Sequence, residues 1–261
     1  MIRFRTLISS SAGNCLELSS EGMTLLIDCG FRAQRDFAAV LAGIRGDVEM
    51  LVSHAHTDHV GYSGLKVLAK RGMAIRAHES VVQQVCRYQS FEGWGQRPQF
   101  VPFGGTPFEV GPFYIQAVPV PHAPGVPNFG FVIMFGTGEK RRKLVFCTDF
   151  HDFEPIAPEL IDADLIYVES NHDLELLRLH PNPASRYHLS NPKTGDLLAD
   201  SIWRSRHGPQ AVILGHLSRE RNHPNIALET VNGALDRAGV HHEFMLTTAP
   251  PYAPSKLVEI E

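Results

Sequence analysis

His54-Ala55-His56-Thr57-Asp58-His59 follows directly on the apolar run Val48-Glu49-Met50-Leu51-Val52-Ser53, so three imidazoles and a carboxylate crowd one strand-to-loop turn. Neutral imidazole and carboxylate are good ligands for Zn²⁺ and similar ions, so such crowding points to metal. In an extended segment residues i and i+2 point the same way; His54 and His56 can therefore grip one ion, leaving Asp58 and His59 for a second. One ion takes three or four ligands, which predicts further His and Asp downstream. A solvated turn that happens to be rich in histidine is the plain alternative.

Working outward, short strands come first, then strands alternating with helices. Ile2 to Ile8, Cys15 to Leu18 and Thr24 to Asp28 read as a meander with turns at Gly13-Asn14 and Glu21-Gly22. Asp36 to Ile44 and Leu65 to Arg71 read as helices flanking the strand that carries Met50. A second strand group covers Phe108 to Val110, Tyr114 to Val120, Phe129 to Phe135 and Lys143 to Thr148, with turns at Gly111-Pro112 and Gly136 to Glu139. Then come a strand at Leu165 to Glu169, a helix from Pro192 to Ser205, a strand at Ala211 to Leu214, a helix from Asn225 to Ala238 and a strand at Glu243 to Thr247. Two strand groups with helices outside predict an α+β architecture of two sheets packed face to face and covered by helices. No linker divides the 261 residues, so a single domain over 1–261 is expected.

Hydrophobic content of 43% suffices for a packed core, and a net charge of −4 gives no global pull toward nucleic acid or anionic membrane. Local patches must carry any such binding. Met1-Ile2-Arg3-Phe4-Arg5 lacks the apolar core of a signal peptide and no apolar run approaches a membrane span, so no membrane partner and a cytoplasmic location are expected. Cys15, Cys29, Cys86 and Cys147 are widely spaced, lie in apolar strand-like contexts and read as reduced packing residues.

The further ligands sit where strands end. His122 follows Tyr114 to Val120, Asp149 follows Leu144 to Thr148, His216 follows Ala211 to Gly215, and His188 opens the helix after a looped segment. Alone, His122 or His216 would read as a polar loop residue and Asp149 as a helix cap. Strand ends gathered on one edge of a sheet sandwich instead make a rigid metal cleft.

In this order the motifs resemble the metallo-β-lactamase superfamily, and the match covers nearly the whole chain. Within it the chain is most similar to the YycJ/WalJ group of nucleic-acid-processing hydrolases. That likeness rests on Ser9-Ser10-Ser11-Ala12-Gly13-Asn14, Glu169-Ser170-Asn171-His172-Asp173, His188-Leu189-Ser190-Asn191 and His216-Leu217-Ser218-Arg219-Glu220. Arg221 stands where the group tends to have Asn, with Asn222 following.

The resemblance implies a four-layer αββα sandwich holding two divalent ions at one edge. It assigns His54, His56 and His122 to one ion and Asp58, His59 and His216 to the other, with Asp149 bridging. Five imidazoles and two carboxylates suit Zn²⁺, with Mn²⁺ or Fe²⁺ as alternatives. Water between two such ions loses its proton near neutral pH, and the resulting hydroxide would attack phosphorus. Asp58 counts as both ligand and catalytic group, while His188, oriented by Glu169, would protonate the leaving oxygen, as the resemblance to tRNA-processing members implies. A helix-start histidine capped by Ser190 is the plainer reading of His188.

Substrate is less constrained. The interval from Asp149 to His216 is too short for the cap domain of β-CASP enzymes, and no Gly-rich arm like that of tRNA 3′-processing members is present. Lys66, Lys70, Arg71, Arg219 and Arg221 lie beside the motifs and suit a polynucleotide backbone, whereas Glu139-Lys140-Arg141-Arg142-Lys143 reads as a solvated hairpin tip. Ser9, Ser10 and Asn14 form either a phosphate-cradling loop or a tight turn; Ser218, Arg219 and Asn222 complete the expected substrate set. Phe91-Glu92-Gly93-Trp94 reads as packing, with base stacking as the alternative. The expected activity is a dinuclear phosphodiesterase acting on DNA as an exonuclease. The alternatives are a small-substrate hydrolase, namely a cyclic phosphodiesterase or a glyoxalase-II-like thioesterase, and a non-catalytic scaffold.

Overall fold

The computed structural model describes residues 1–240 and 243–261. The chain begins with an antiparallel meander of β1 (Ile2–Ser10), β2 (Gly13–Ser20) and β3 (Met23–Ile27). Helix α1 (Gln34–Gly43), strand β4 (Asp47–Val52), helix α2 (Tyr62–Arg71), strand β5 (Ala74–His78), helix α3 (Glu79–Tyr88) and strand β6 (Gln99–Phe103) then add three strands in parallel. Parallel neighbours cannot be joined by a tight hairpin, so each addition needs a crossover, and α1 to α3 provide it.

The second sheet repeats the plan. β7 (Phe108–Val110), β8 (Phe113–Pro119), β9 (Phe129–Phe135) and β10 (Arg142–Cys147) are antiparallel. After α4 (Ala157–Leu160), β11 (Leu165–Glu169) joins in parallel; α5 (Leu174–Leu179), α6 (Asn191–Trp203), β12 (Ala211–Gly215), α7 (Pro224–Arg237) and β13 (Met245–Thr248) follow. β14 (Val258–Ile260) returns to pair with β1. The strand orders are β14-β1-β2-β3-β4-β5-β6 and β13-β12-β11-β10-β9-β8-β7, two mixed sheets of the expected α+β, αββα sandwich.

Side-chain alternation explains the layering. In β11, Leu165 and Tyr167 point into the core between the sheets, whereas Ile166 and Val168 pack with Leu198 of α6 and Val231 of α7. Burial on both faces is why this strand reads as an unbroken apolar run. Phe4 of β1 crosses the gap to meet Phe146 and Tyr167 at ring-centroid distances of 5.4 and 6.1 Å. No helix among the described residues is long and apolar enough to cross a membrane.

Several local expectations change. β5, α3 and β6 occupy residues 74–103, where no element was expected; β6 carries Pro102 at the sheet edge, a place that tolerates the missing N–H. α4, α5 and β14 were also unexpected, each being six residues or fewer. The first hairpin turns at Ser11-Ala12, and Gly13 and Asn14 pair with Ser10 and Ser9 as the start of β2. Of the cysteines, Cys15, Cys29 and Cys147 are buried, but Cys86 is exposed on α3.

Candidate metal centre

Strands β3, β4, β8, β10, β11 and β12 all run toward one edge, so whatever follows them in sequence meets there. Asp28, Asp149 and His216, one step past or two past a strand, adopt φ of 65°, 61° and 53°. Non-glycine residues rarely enter this left-handed region, and its strain is held by surrounding structure where it aims a functional group.

The ligand atoms of His54, His56 and His122 lie within 4.8 Å of one another, as do those of Asp58, His59 and His216. Asp149 joins His54 and His59 in a third group, and Glu169, His188 and His216 in a fourth. Its Oδ2 is 2.9 Å from His59 Nε2 and 3.5 Å from His216 Nε2, and its Oδ1 is 3.9 Å from His122 Nε2. His54 Nε2 is fully enclosed without a hydrogen-bond partner, a cost that coordination would remove. This donor set fits divalent metal.

In His59, His122, His54 and His216 the ring nitrogen facing away from the cluster is anchored. His59 Nδ1 lies 2.7 Å from Asp28 Oδ2, and His122 Nδ1 lies 3.2 Å from the Tyr187 carbonyl. His54 Nδ1 meets Ser53 Oγ at 3.1 Å, and that hydroxyl is itself tied to Asp28. His216 Nδ1 lies 3.3 Å from Glu169 Oε2. Such outer partners set the tautomer that presents Nε2 inward. Asp28 was missed by sequence reasoning, although Leu25-Leu26-Ile27-Asp28 has the same apolar-strand-then-acid pattern that marked Asp149. Replacing Asp28 by Asn is expected to weaken metal binding about 10- to 100-fold in competition with a chelator, without altering the ligand set.

Backbone contacts hold the ligand turn. The N–H groups of Asn14 and Cys29 donate to the carbonyls of Asp58 and His59 at 2.7 and 2.6 Å. Gly30 permits this approach, because a Cβ there would lie 1.8 Å from the Asp58 carbonyl oxygen. Ser9 Oγ accepts from the His216 N–H at 2.9 Å and shares a 2.7 Å hydrogen bond with Tyr167 Oη.

Charge within the cluster is divided. Burial lowers His54 and His56, and carries His122 down to about 4, so these rings stay neutral with free lone pairs. Burial also opposes charge on His216 and His59, but Asp149 and neighbouring carboxylates overcome it, raising His216 to about 10 and His59 well above its ordinary value. Against the same burial, the imidazoles hold Asp149 and Asp58 well below the usual carboxylate range. Without metal these shifts favour protons on His59 and His216, which ions bound there would have to displace. Metal loading is expected to release roughly two protons, and affinity to fall about tenfold per displaced proton for each pH unit lowered. Calorimetry in buffers of different protonation enthalpy measures this; zero release would contradict it.

Glu169 is a buried hub. Its carboxylate accepts from the N–H groups of Asp149, Phe150 and Leu189 at 3.2, 3.1 and 2.8 Å and lies 3.1 Å from His188 Nδ1. Burial raises its pKa, yet His188 and the hydrogen bonds bring it down to about 2. His188 is correspondingly raised, burial being outweighed by Glu169. The residue is extended, between a 3-10 turn at Pro183–Tyr187 and α6, and Ser190 makes no side-chain cap there.

The expected substrate residues fare differently. Ser9, Ser10 and Asn14 are not an open loop but the buried end of the β1–β2 hairpin, because the second sheet and the ligand turn pack over them. Ser218 is buried and accepts from the Arg221 N–H; Asn222 is spent on the Ser170 carbonyl and the Asn191 amide. Arg219 is exposed, its guanidinium 5.1 Å from the Tyr252 ring centroid. The Gly138–Lys140 turn lies at the far end of β10 from Asp149.

Comparison with known proteins agrees with this fold. Residues 23–216 match a family model described as a beta-lactamase superfamily domain. The chain is 27% identical over 273 residues to exodeoxyribonuclease WalJ of Streptococcus pneumoniae, covering 99% of this chain and 98% of that protein. It is 26% identical over 272 residues to exodeoxyribonuclease YycJ of Bacillus anthracis, covering 98% of each. Among solved structures, the metallo-beta-lactamase fold protein YhfI of Bacillus subtilis superposes with a TM-score of 0.71 at 16% identity, covering 97% of this chain and 98% of that one.

Proposed function

The chain belongs to the beta-lactamase superfamily and is a metal-dependent hydrolase, and from that premise we propose that it is a dinuclear phosphodiesterase that digests DNA as an exonuclease. The observation that carries the reading is the His188–Glu169 pair beside the ligand cluster, at 3.1 Å. Near full-length similarity to two proteins named exodeoxyribonucleases supports DNA as the substrate. Residues 1–261 are taken as one catalytic domain, since a continuous core joins both sheets.

His54, His56 and His122 would hold one ion and Asp58, His59 and His216 the other, with Asp149 shared; Zn²⁺ suits the imidazole-rich set, and Mn²⁺ or Fe²⁺ the carboxylates. When bound, the ions supply water deprotonated near neutral pH and a positive field at the phosphoryl oxygen. The protein's own groups do the remaining work. Asp58, its side chain 23% exposed, is the open carboxylate of the cluster and orients the attacking water. With Nδ1 committed to Glu169, His188 moves its proton from Nε2 to the departing oxygen. The raised pKa keeps that proton in place near neutral pH. Arg219 offers the strand a phosphate contact that fixes position without reading sequence. Ser9, Ser10, Asn14, Ser218 and Asn222 act from beneath, by positioning the loops that carry these groups.

Incubating the metal-loaded protein with end-labelled linear double-stranded DNA tests the proposal; progressive loss from the ends is expected. Intact DNA alongside hydrolysis of a glutathione thioester, but not of bis-p-nitrophenyl phosphate, would overturn it.

A further inference from the structure

Tyr62 opens α2 three positions after His59 and leaves 47% of its surface exposed, although it is a large aromatic beside a buried cluster. Trp94, from the loop between α3 and β6, meets it edge-on at 4.9 Å and 83°. That loop is supported from below and tied to the ligand turn. Phe91 packs against Trp94 at 5.1 Å and against Phe100 of β6 at 6.2 Å, and Gln89 Nε2 donates to the Val60 carbonyl at 2.9 Å. Gly93, at φ 74°, makes the tight turn that returns Trp94 toward Tyr62. Lys66, one helical turn beyond Tyr62, donates to Tyr62 Oη at 3.2 Å and holds its ammonium 5.3 and 5.6 Å from the Tyr62 and Trp94 ring centroids.

Resting on the phosphodiesterase reading above, we propose that Tyr62 and Trp94 form a stacking subsite for a nucleobase of the DNA strand being digested, with Lys66 facing its adjacent phosphate. Packing alone does not account for the arrangement. What sets this place apart is that two rings and an ammonium converge, with Tyr62 left half open to solvent and the loop carrying Trp94 tied to the ligand turn. Aromatic rings beside a cation are the combination that retains single-stranded nucleic acid, since every base offers a π-face and every linkage a charge.

The protein has two tryptophans, so a Trp203→Phe variant leaves Trp94 as the sole indole emitter; Trp203 lies 70% exposed at the end of α6, away from the ligand turn. Titrating the metal-loaded, full-length variant with a cleavage-resistant phosphorothioate oligothymidylate is expected to quench that emission. Adding Tyr62→Ala should raise Kd about tenfold and Tyr62→Phe, which keeps the ring, should restore it. An abasic strand with the same backbone should bind about tenfold more weakly than the thymidylate. Absence of quenching, or equal affinity for the abasic strand, would overturn the subsite. DNA digestion is followed in parallel: digestion without quenching removes the subsite and leaves the nuclease reading standing, whereas quenching without digestion does the reverse.

Discussion

Replacing His188 by alanine is expected to lower turnover of linear DNA roughly 10²- to 10⁴-fold while leaving metal content at the wild-type level. The range is that of a positioned general acid, and the geometry explains why the effect should fall on turnover. Nδ1 of His188 lies 3.1 Å from Glu169 Oε2, nearer than the 3.5 Å to Asp149 Oδ1, so the ring is oriented chiefly by a carboxylate outside the expected ligand set. Glu169 is a poorer position for the same test. Its carboxylate also receives three backbone N–H groups and faces His216 Nδ1, so a substitution there would unseat β10, the α6 entry and a ligand together. Turnover and bound metal are measured on the same preparation. Because the ligand atoms of Asp149, Glu169, His188 and His216 lie within 4.8 Å, loss of metal in the His188→Ala protein would reassign His188 from proton donor to ligand.

An Asp149→Ala protein is expected to bind at most one ion and to lose about 10³-fold or more in activity. Asp149 is the group that touches both halves of the cluster, reaching His59, His122 and His216 from a buried position. Metal-ion catalysis contributes several kcal/mol at the transition state, and each 1.36 kcal/mol is a factor of ten. A control at Asp28 separates the two roles, since Asp28→Asn should weaken metal binding yet recover activity at saturating metal. Elemental analysis after gel filtration reads the stoichiometry; two retained ions with full activity would remove Asp149 from the site.

Much of this was legible residue by residue. The strand-plus-ligand signature at Met50 to His59 and the strand ends before His122, Asp149 and His216 follow from local pattern, because period-2 alternation and donor chemistry are visible within a few residues. The stretch 74–103 was not, since Ala74-Ile75-Arg76-Ala77-His78 and Gln99-Phe100-Val101-Pro102-Phe103 are edge-side strands whose mixed polarity depends on what covers them.

The sequence by itself determined the class of chemistry: imidazoles and carboxylates crowded at the end of an apolar strand leave few options besides metal, wherever the rest of the chain goes. Only the tertiary structure decided which residues serve that centre from outside. Asp28 reaches His59 because β3 lies beside β4, and the Tyr187 carbonyl reaches His122 across 65 positions of chain. Ser9, part of a phosphate-cradling loop or a tight turn on the sequence reading, became a buried brace for His216 because the two sheets close over it. The physical reason is range: ligand identity is a property of single side chains, whereas tautomer, burial and charge state are set by partners that only packing brings within 3 Å or so of one another.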